Sequence, residues 1–273
     1  MTTGLQVRNG RPTVVKIGGE LMEDTIRLQR LARTLAALAS REPIVVVHGG
    51  GREVDANMAK LDIKKRSVDG LRITDDATLD VAVCVLAGRI NTRLVAALGT
   101  AGSYAVGLTG VDSTVATVRR EQPYRTTAGK TVDLGHVGRP QDASRPTLLF
   151  DLLKSGYVPV IASISADSSG QLYNVNADTL AGHLAGCLGA RRLIIAGGTS
   201  GVLNCAGQTM PVVNDEEITR LIADGHASAG MVAKLLACRA ALQNGVTTVA
   251  IVNGRSPTPR LFDDEIAATM VTR

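Results

Sequence analysis

Lys16, Gly18 and Gly19 stand at the end of a short β-branched apolar run, in TVVKIGGELM. Two glycines after a strand make a turn with bare backbone amides, and the lysine adds a cation. Such turns are common, and their lysines are commonly solvated. Three more stretches add weight. His48 and Gly49-Gly50-Gly51 close the run IVVVH ahead of a helical stretch, which would aim N–H groups and a helix dipole at an anion. Asn174, Asn176 and Asp178 follow the run YVPVIASI, and Gly230, Met231 and Lys234 open the last long helix. In an open α/β sheet, ligands sit beyond the carboxyl ends of the strands. Two glycine turns, two lysines and one aspartate at one such edge suit phosphoryl transfer, where charge spreads over three oxygens and little covalent work falls to the protein. The sequence has no GxxxxGK followed by Ser or Thr, and no GxGxxG after a strand, so it is not a P-loop protein.

The elements that must position these residues alternate. Residues 12–17 read as a buried strand, and 24–40 as a helix with Leu28, Leu31, Leu35 and Leu38 on one face. Residues 44–48 form a second strand and 52–61 a helix. A longer helix spans 78–98, with Leu79, Val83, Leu86, Ile90, Leu94 and Leu98 on one face, and 103–108 is strand-like. Residues 114–138 read as a β-hairpin excursion from the main sheet. A helix ended by Gly156 leads to a strand over 157–164, then a turn-rich link over 166–178. Helices at 178–189, 214–224 and 230–244 alternate with strands at RRLIIAG and 247–254; Asn214 and Glu217 make a capping box. The expected fold is α/β, a three-layer αβα sandwich around a central, mainly parallel sheet. Two halves are expected, 1–165 and 166–273, with one sheet continuous across them.

Bulk properties exclude several classes. The 273 residues allow a substantial core, yet aromatics are 2% with no Trp, so Ala, Val, Leu and Ile must build it. Net charge is +5, but the only tight basic cluster is Lys64-Lys65-Arg66 and stacking aromatics are nearly absent, which argues against nucleic acid. No apolar run is expected to approach the roughly 18 residues of a membrane span, and MTTGLQVRNGRP has no secretory h-region, so a cytoplasmic protein is expected. Cys84, Cys187, Cys205 and Cys238 lie far apart, which favours reduced thiols, and the four histidines show no zinc spacing.

With these residues in place, the chain resembles the amino-acid kinase family from about residue 12 to its C-terminus. The motifs that carry the resemblance are VKIGGELM, VVHGGGREVD, DGLRITDDATLD, LAGRINTRLVAAL, DLGHVG, GYVPVIASI, YNVNADTLAGHLAG, SAGMVAK and AIVNGR, in family order. GLRITD and NVNAD favour the branch acting on N-acetyl-L-glutamate over those acting on aspartate, uridylate or carbamate. The resemblance implies that the γ-carboxylate of N-acetyl-L-glutamate attacks the γ-phosphate of ATP, with Mg held mainly by the phosphates and no protein metal site. Lys16 and Lys234 would hold the transferring group, and Asp178 would orient both. Gly18, Gly19, Gly49 and Gly50 would donate N–H groups. Arg72 would clamp the α-carboxylate, with Gly50, Gly51 and Asn174 also at the substrate. Residues 1–165 would bind the acyl amino acid and pair in a homodimer, and 166–273 would bind the nucleotide. A short, poorly helical N-terminal stretch implies no arginine feedback. Each residue has a plainer reading: exposed lysines, a surface ion pair for Arg72, the helix N-cap for Asp178, a turn residue for Asn174, a structural role for His48.

The pattern also departs from the family. Gly197 and Gly198, in IIAGGTSGV, stand where a hydroxyl residue and an aspartate are expected against the nucleotide. Ser113 replaces a usual glycine in GVDST, and EIAATM has alanine for a Gly-Thr pair. These departures feed two alternatives: a non-catalytic sensor of the same fold that binds acetylglutamate or nucleotide, and a kinase for a related acyl amino acid such as acetylaminoadipate.

Overall fold

Alternation along strand β1 (Thr13–Ile17) sets the architecture. Val14 enters one apolar cluster and Val15 and Ile17 another, so the strand is buried on both faces. The computed structural model describes residues 10–69, 71–126, 129–141, 144, 146–255 and 268–273. The further strands of the two larger sheets are β2 (Ile44–His48), β3 (Ala105–Thr109), β4 (Val118–Arg120), β5 (Val137–Pro140), β6 (Val158–Ala162), β7 (Ile164–Ala166), β8 (Leu172–Val175), β9 (Arg192–Gly197), β10 (Val212–Val213), β11 (Thr248–Asn253) and β12 (Ala268–Val271); two antiparallel pairs of two-residue strands, Ser67–Val68 with Leu71–Arg72 and Tyr124–Arg125 with Thr131–Val132, stand apart. The helices are α1 (Thr25–Ala39), α2 (Gly51–Lys60), α3 (Asp76–Thr100), α4 (Thr147–Lys154), α5 (Ala177–Cys187), α6 (Asp215–Ala223) and α7 (Ala229–Gln243).

The main sheet runs β10-β12-β11-β9-β1-β2-β6-β3. Its pairs are parallel except β11 with β12. Helices α1, α2 and α3 cover the Val15 face; α4, α5, α6 and α7 lie with the Val14 face. The expected three-layer sandwich is therefore present. The sheet is continuous across residue 165, because β1 pairs with β9 from Thr13↔Arg192 to Ile17↔Ala196.

Several details differ from the sequence reading. The run 157–164 divides at Ser163: β6 stays in the main sheet, and β7 turns into a second sheet ordered β7-β8-β5-β4. The 114–138 excursion supplies part of that second sheet. The link over 166–178 contains a strand, β8, antiparallel to β7 and parallel to β5. Its tight turn is closed by Asp167, whose carboxylate accepts the N–H groups of Ser169 and Gln171. Turn residues on one side and two asparagines in or beyond the strand hide four residues of strand. Strands β10 and β12 were not anticipated either; part of EIAATM, 265–267, lies outside the described residues.

Helix α3 buries Leu79, Leu86, Ile90, Leu94 and Leu98 as expected, but Val83 is only half-buried. Val81, Ala82 and Val85 are buried instead, and a π-helical stretch spans Cys84–Ile90. By length and composition α3 is long and apolar enough to cross a membrane, contrary to the reading of the sequence. In this fold its apolar face packs on the sheet and α1, as a core helix does. Ser113 has φ 49° and ψ 33°, the left-handed region that favours glycine, the residue expected there from the resemblance. All four cysteines are unbridged.

Behind the Gly49-Gly50-Gly51 turn, His48 is fully buried. Asn91 Nδ2 donates to His48 Nε2 at 3.1 Å and to the Val160 carbonyl at 2.9 Å. His48 Nδ1–H then donates to the Gly49 carbonyl at 3.1 Å. This is a neutral imidazole used as structure, and burial lowers its pKa to about 4 against the opposing pull of the Gly49 carbonyl.

Two predictions follow from the packing. Above pH ~6.5, His48 is neutral whether the chain is folded or unfolded. Below it the unfolded chain takes up a proton and the folded chain does not until about pH 4. Its contribution is thus full above pH ~6.5 and falls by about 3 kcal/mol as pH drops toward 4. Urea midpoints across that window should slope less steeply for His48→Gln than for the parent; parallel slopes would remove His48 as the cause. Gly182 of α5 faces Ala237 of α7 so closely that an added Cβ would sit 2.7 Å from the Ala237 carbonyl oxygen. Gly182→Ala should destabilise by about 1–3 kcal/mol through overpacking, and an unchanged melting curve would contradict the close crossing.

Candidate active site

Lys16 lies on the same face of β1 as Val14, pointing toward α5, because strand side chains alternate. Its Nζ meets Asp178 Oδ1 at 2.9 Å, and Lys234 Nζ from α7 lies 3.8 Å from Asp178 Oδ2. Side-chain exposure is 8% for Lys16 and Asp178 and 17% for Lys234. None of the three is a surface charge. No aligned hydrogen bond reaches Asp178 Oδ1, so its contact with Lys16 is chiefly coulombic. A carboxylate so buried needs compensating charge, and the two lysines provide it.

Asp178 does not cap its helix. Asn176 is the N-cap, its side chain accepting from the N–H groups of Asp178 and Thr179 at 2.9 and 3.1 Å. That frees Asp178, in the first turn, to face the lysines, where the helix dipole also favours an anion. Lys234 additionally donates to the Gly230 carbonyl at 3.2 Å. Cys238, one turn on, is fully buried beside them; burial and the Asp178 charge push its thiol pKa up, so it is held as an inert thiol.

The two glycine turns touch. A Cβ on Gly19 would lie 2.8 Å from Gly50 Cα, and one on Gly50 would lie 2.1 Å from Ile90 Cδ1. Close approach, not positive φ, demands glycine at both. Parallel register puts both turns at one edge, with Ile17 opposite His48. The amides are not all available, however. Gly18 N–H donates to the Ala196 carbonyl at 2.9 Å, and Gly49 N–H to the Ile17 carbonyl at 3.3 Å, so the ladder takes both. Gly18 and Gly49 shape the cleft rather than donate into it. The N–H groups of Gly19, Gly50 and Gly51, ahead of or within the first turns that follow, have no acceptor among the described residues.

These groups line one cleft of about 310 Å³, together with Arg72 and Asn174. Arg72 is not a surface pair. Its side chain is 14% exposed, bonded to Asp55 at 2.5 Å and to the Gly51 carbonyl at 3.0 Å. Asn174 sits on β8 and donates to Thr74 Oγ1 at 3.4 Å. Gly197 and Gly198 lie outside the lining, at the end of β9. The cleft also holds Asn176, named with Asn174 and Asp178 at this edge, and Glu20, Ser163 and Leu86, which the sequence reading does not assign to it. The signal for Glu20 was present: an acid directly after a Gly-Gly turn meant for an anion is out of place. Leu86 has none, because only the π-helical turn brings it under Gly50.

Comparison with known proteins places the chain among relatives. Acetylglutamate kinase of Roseobacter denitrificans is 39% identical over 261 residues, 95% of this chain and 87% of the relative. That of Nostoc punctiforme is 38% identical over 270 residues, 96% of this chain and 87% of the relative. Among solved structures, N-acetylglutamate synthase of Neisseria gonorrhoeae, complexed with coenzyme A and N-acetyl-glutamate, has a TM-score of 0.81 at 23% identity. The match covers 97% of this chain and 60% of the synthase chain. Carbamate kinase of Giardia lamblia bound to AMP-PNP has a TM-score of 0.67 at 16% identity, covering both chains fully. These two structures support the fold. The model of the amino acid kinase family matches residues 11–253, and with relatives this similar over nearly the whole length, the chain belongs to the amino acid kinase family.

Proposed function

We propose that the chain is an acetylglutamate kinase. The observation that carries this reading is Asp178 set between Lys16 and Lys234 in the cleft that also holds Arg72. The relatives' shared name supports the substrate. A γ-carboxylate oxygen of N-acetyl-L-glutamate forms a bond to the γ-phosphorus of ATP as the bond to the β,γ-bridging oxygen breaks, and ADP leaves with that electron pair. No general base is needed, since the carboxylate is ionised at pH 7. Lys16, Lys234 and the Gly19 and Gly50 amides offset charge on the transferring group. Asp178 keeps both ammonium groups in place, so they need not reorganise during transfer.

At the acid end, Arg72 presents a guanidinium fixed by Asp55 to the α-carboxylate, and Asn174 and Gly51 adjoin it. Residues 1–165 then supply most of the acyl amino-acid pocket, with Asn174 from the second half, and 166–273 hold the nucleotide beyond the phosphates that Lys16, Gly19 and Gly50 share. Among the described residues no three His, Cys, Asp or Glu side chains converge to cage a metal. The donor set instead fits a Mg²⁺ that arrives on the nucleotide, held mainly by phosphate oxygens, with the Glu20 carboxylate in the same cleft. When bound, the metal neutralises charge on the β- and γ-phosphates.

Lys234→Ala should lower kcat at least ~100-fold with little change in melting temperature, because Asp178 keeps Lys16. Lys16→Ala should lower kcat as much and also cost stability, since it leaves Asp178 buried with only the more distant lysine. A coupled ADP-release assay with acetylglutamate measures both. Near-full turnover in both variants would remove the lysines from the site. No turnover by folded parent protein that binds either substrate would favour a non-catalytic sensor. Arg72→Ala should raise KM for the acyl acid at least ~10-fold with a smaller change in KM for ATP; equal KM values would take Arg72 out of the acid pocket.

A further inference from the structure

Beside the lysine end of the cleft, β9 offers no side-chain carboxylate: the strand ends at Gly197, and Gly198 follows it. Yet a carboxylate stands there. Glu20, from the 3-10 turn after β1, reaches across the cleft, and its Oε1 accepts the Gly198 N–H at 2.8 Å. The same oxygen lies 3.4 Å from where a Gly197 Cβ would be, and Lys234 Cε 3.6 Å from that point. Both Glu20 oxygens lie 2.6 Å from a Cβ built on Gly18. Gly18 therefore leaves the space that this carboxylate fills, and Gly197 lies in contact with it. On the other side of Gly198 stands the guanidinium of the exposed Arg255, whose Nε is 2.8 Å from where a Cβ would be.

Charge then decides what the carboxylate is for. Lys16 and Lys234 are balanced by Asp178 and Glu20, so the four side chains at the phosphate end sum to zero. A bare triphosphate brought beside Glu20 meets a like charge. A triphosphate carrying a divalent cation does not, and Mg²⁺ is commonly held by one or two carboxylates together with substrate phosphates. We infer that Glu20 is a nucleotide-specificity residue. It supplies, from the β1 turn, the acid that β9 lacks, and faces the divalent cation on the β- and γ-phosphates, so that this site selects the metal-loaded nucleotide. The inference rests on the kinase reading above, and its test separates the two.

Calorimetric titration of ATP without acyl acid, in excess Mg²⁺ and in EDTA, reads the effect as a ratio of two dissociation constants. Glu20→Gln keeps an oxygen to accept the Gly198 N–H while removing the charge. It should weaken Mg·ATP binding ~10-fold and leave metal-free ATP unchanged or tighter, so that the preference for the loaded form falls at least ~10-fold. Glu20→Asp keeps the charge on a shorter arm and should retain part of that preference. A preference unchanged in Glu20→Gln would overturn the inference, as would equal weakening of both forms in both variants, the mark of a merely structural contact. Parent protein that binds Mg·ATP and turns over, with variants that keep its preference, sinks only the role of Glu20. Folded parent protein that binds neither form sinks the kinase reading as well.

Discussion

The buried carboxylate of Asp178 is the constraint around which this molecule is arranged. A charge at 5% exposure is tolerated only with partners, and here they come from two elements far apart in sequence, Lys16 on β1 and Lys234 on α7. Meeting that demand fixes how α5 and α7 lie over the sheet. The contact between Gly182 and the Ala237 carbonyl, one turn beyond each charged residue, is the packing expression of the same requirement. The lysines cannot discharge each other, so their charge is aimed outward into the cleft. The interaction that stabilises the fold is thus also the one that prepares the site for an anion.

Around that centre, the backbone supplies what side chains cannot. Parallel pairing of β1 with β2 in register brings two glycine turns to one edge, and the absence of Cβ atoms lets them touch. The sheet consumes the first amide of each turn and leaves the next for a ligand. The π-helical turn in α3 serves the same place from below, seating Ile90 and Leu86 against Gly50. His48 and Asn91 hold the turn through the Gly49 carbonyl with an imidazole that burial keeps neutral, so no second cation competes beneath the site.

Much of this was legible in the residues. Period-2 and period-3.6 patterns located the long elements, and the lysines, Asp178 and Arg72 were legible as a set because their chemistry converges. What escaped was whatever depends on competition between partners. Nothing in the glycine spacing tells which amides a sheet will take, so Gly18 and Gly49 were read as donors. Asn176 and Asp178 are both good N-caps, and only the pull of two lysines decides which of them caps. Strand β8 escaped because its partners lie in a sheet that no local pattern announces. Ser113 was legible as an oddity, and its left-handed φ gives the oddity a physical meaning.

Glu20 shows the limit most clearly. Read position by position, Gly197 and Gly198 are a loss: an acid is missing where the resemblance leads one to expect it. Read by location, the charge is present, delivered from the opposite side by a residue some 178 positions away in sequence and bonded to the very amide of Gly198. A binding site is defined by where charges stand, and a strand end and a neighbouring turn are interchangeable ways of standing a carboxylate in one place. The exchange is not neutral, however. An acid at the end of β9 would be fixed to the second half of the chain, whereas Glu20 belongs to the turn that carries Gly19. The groups facing phosphate oxygens and the group facing their counter-charge then share one short segment, so any shift of that turn moves both together.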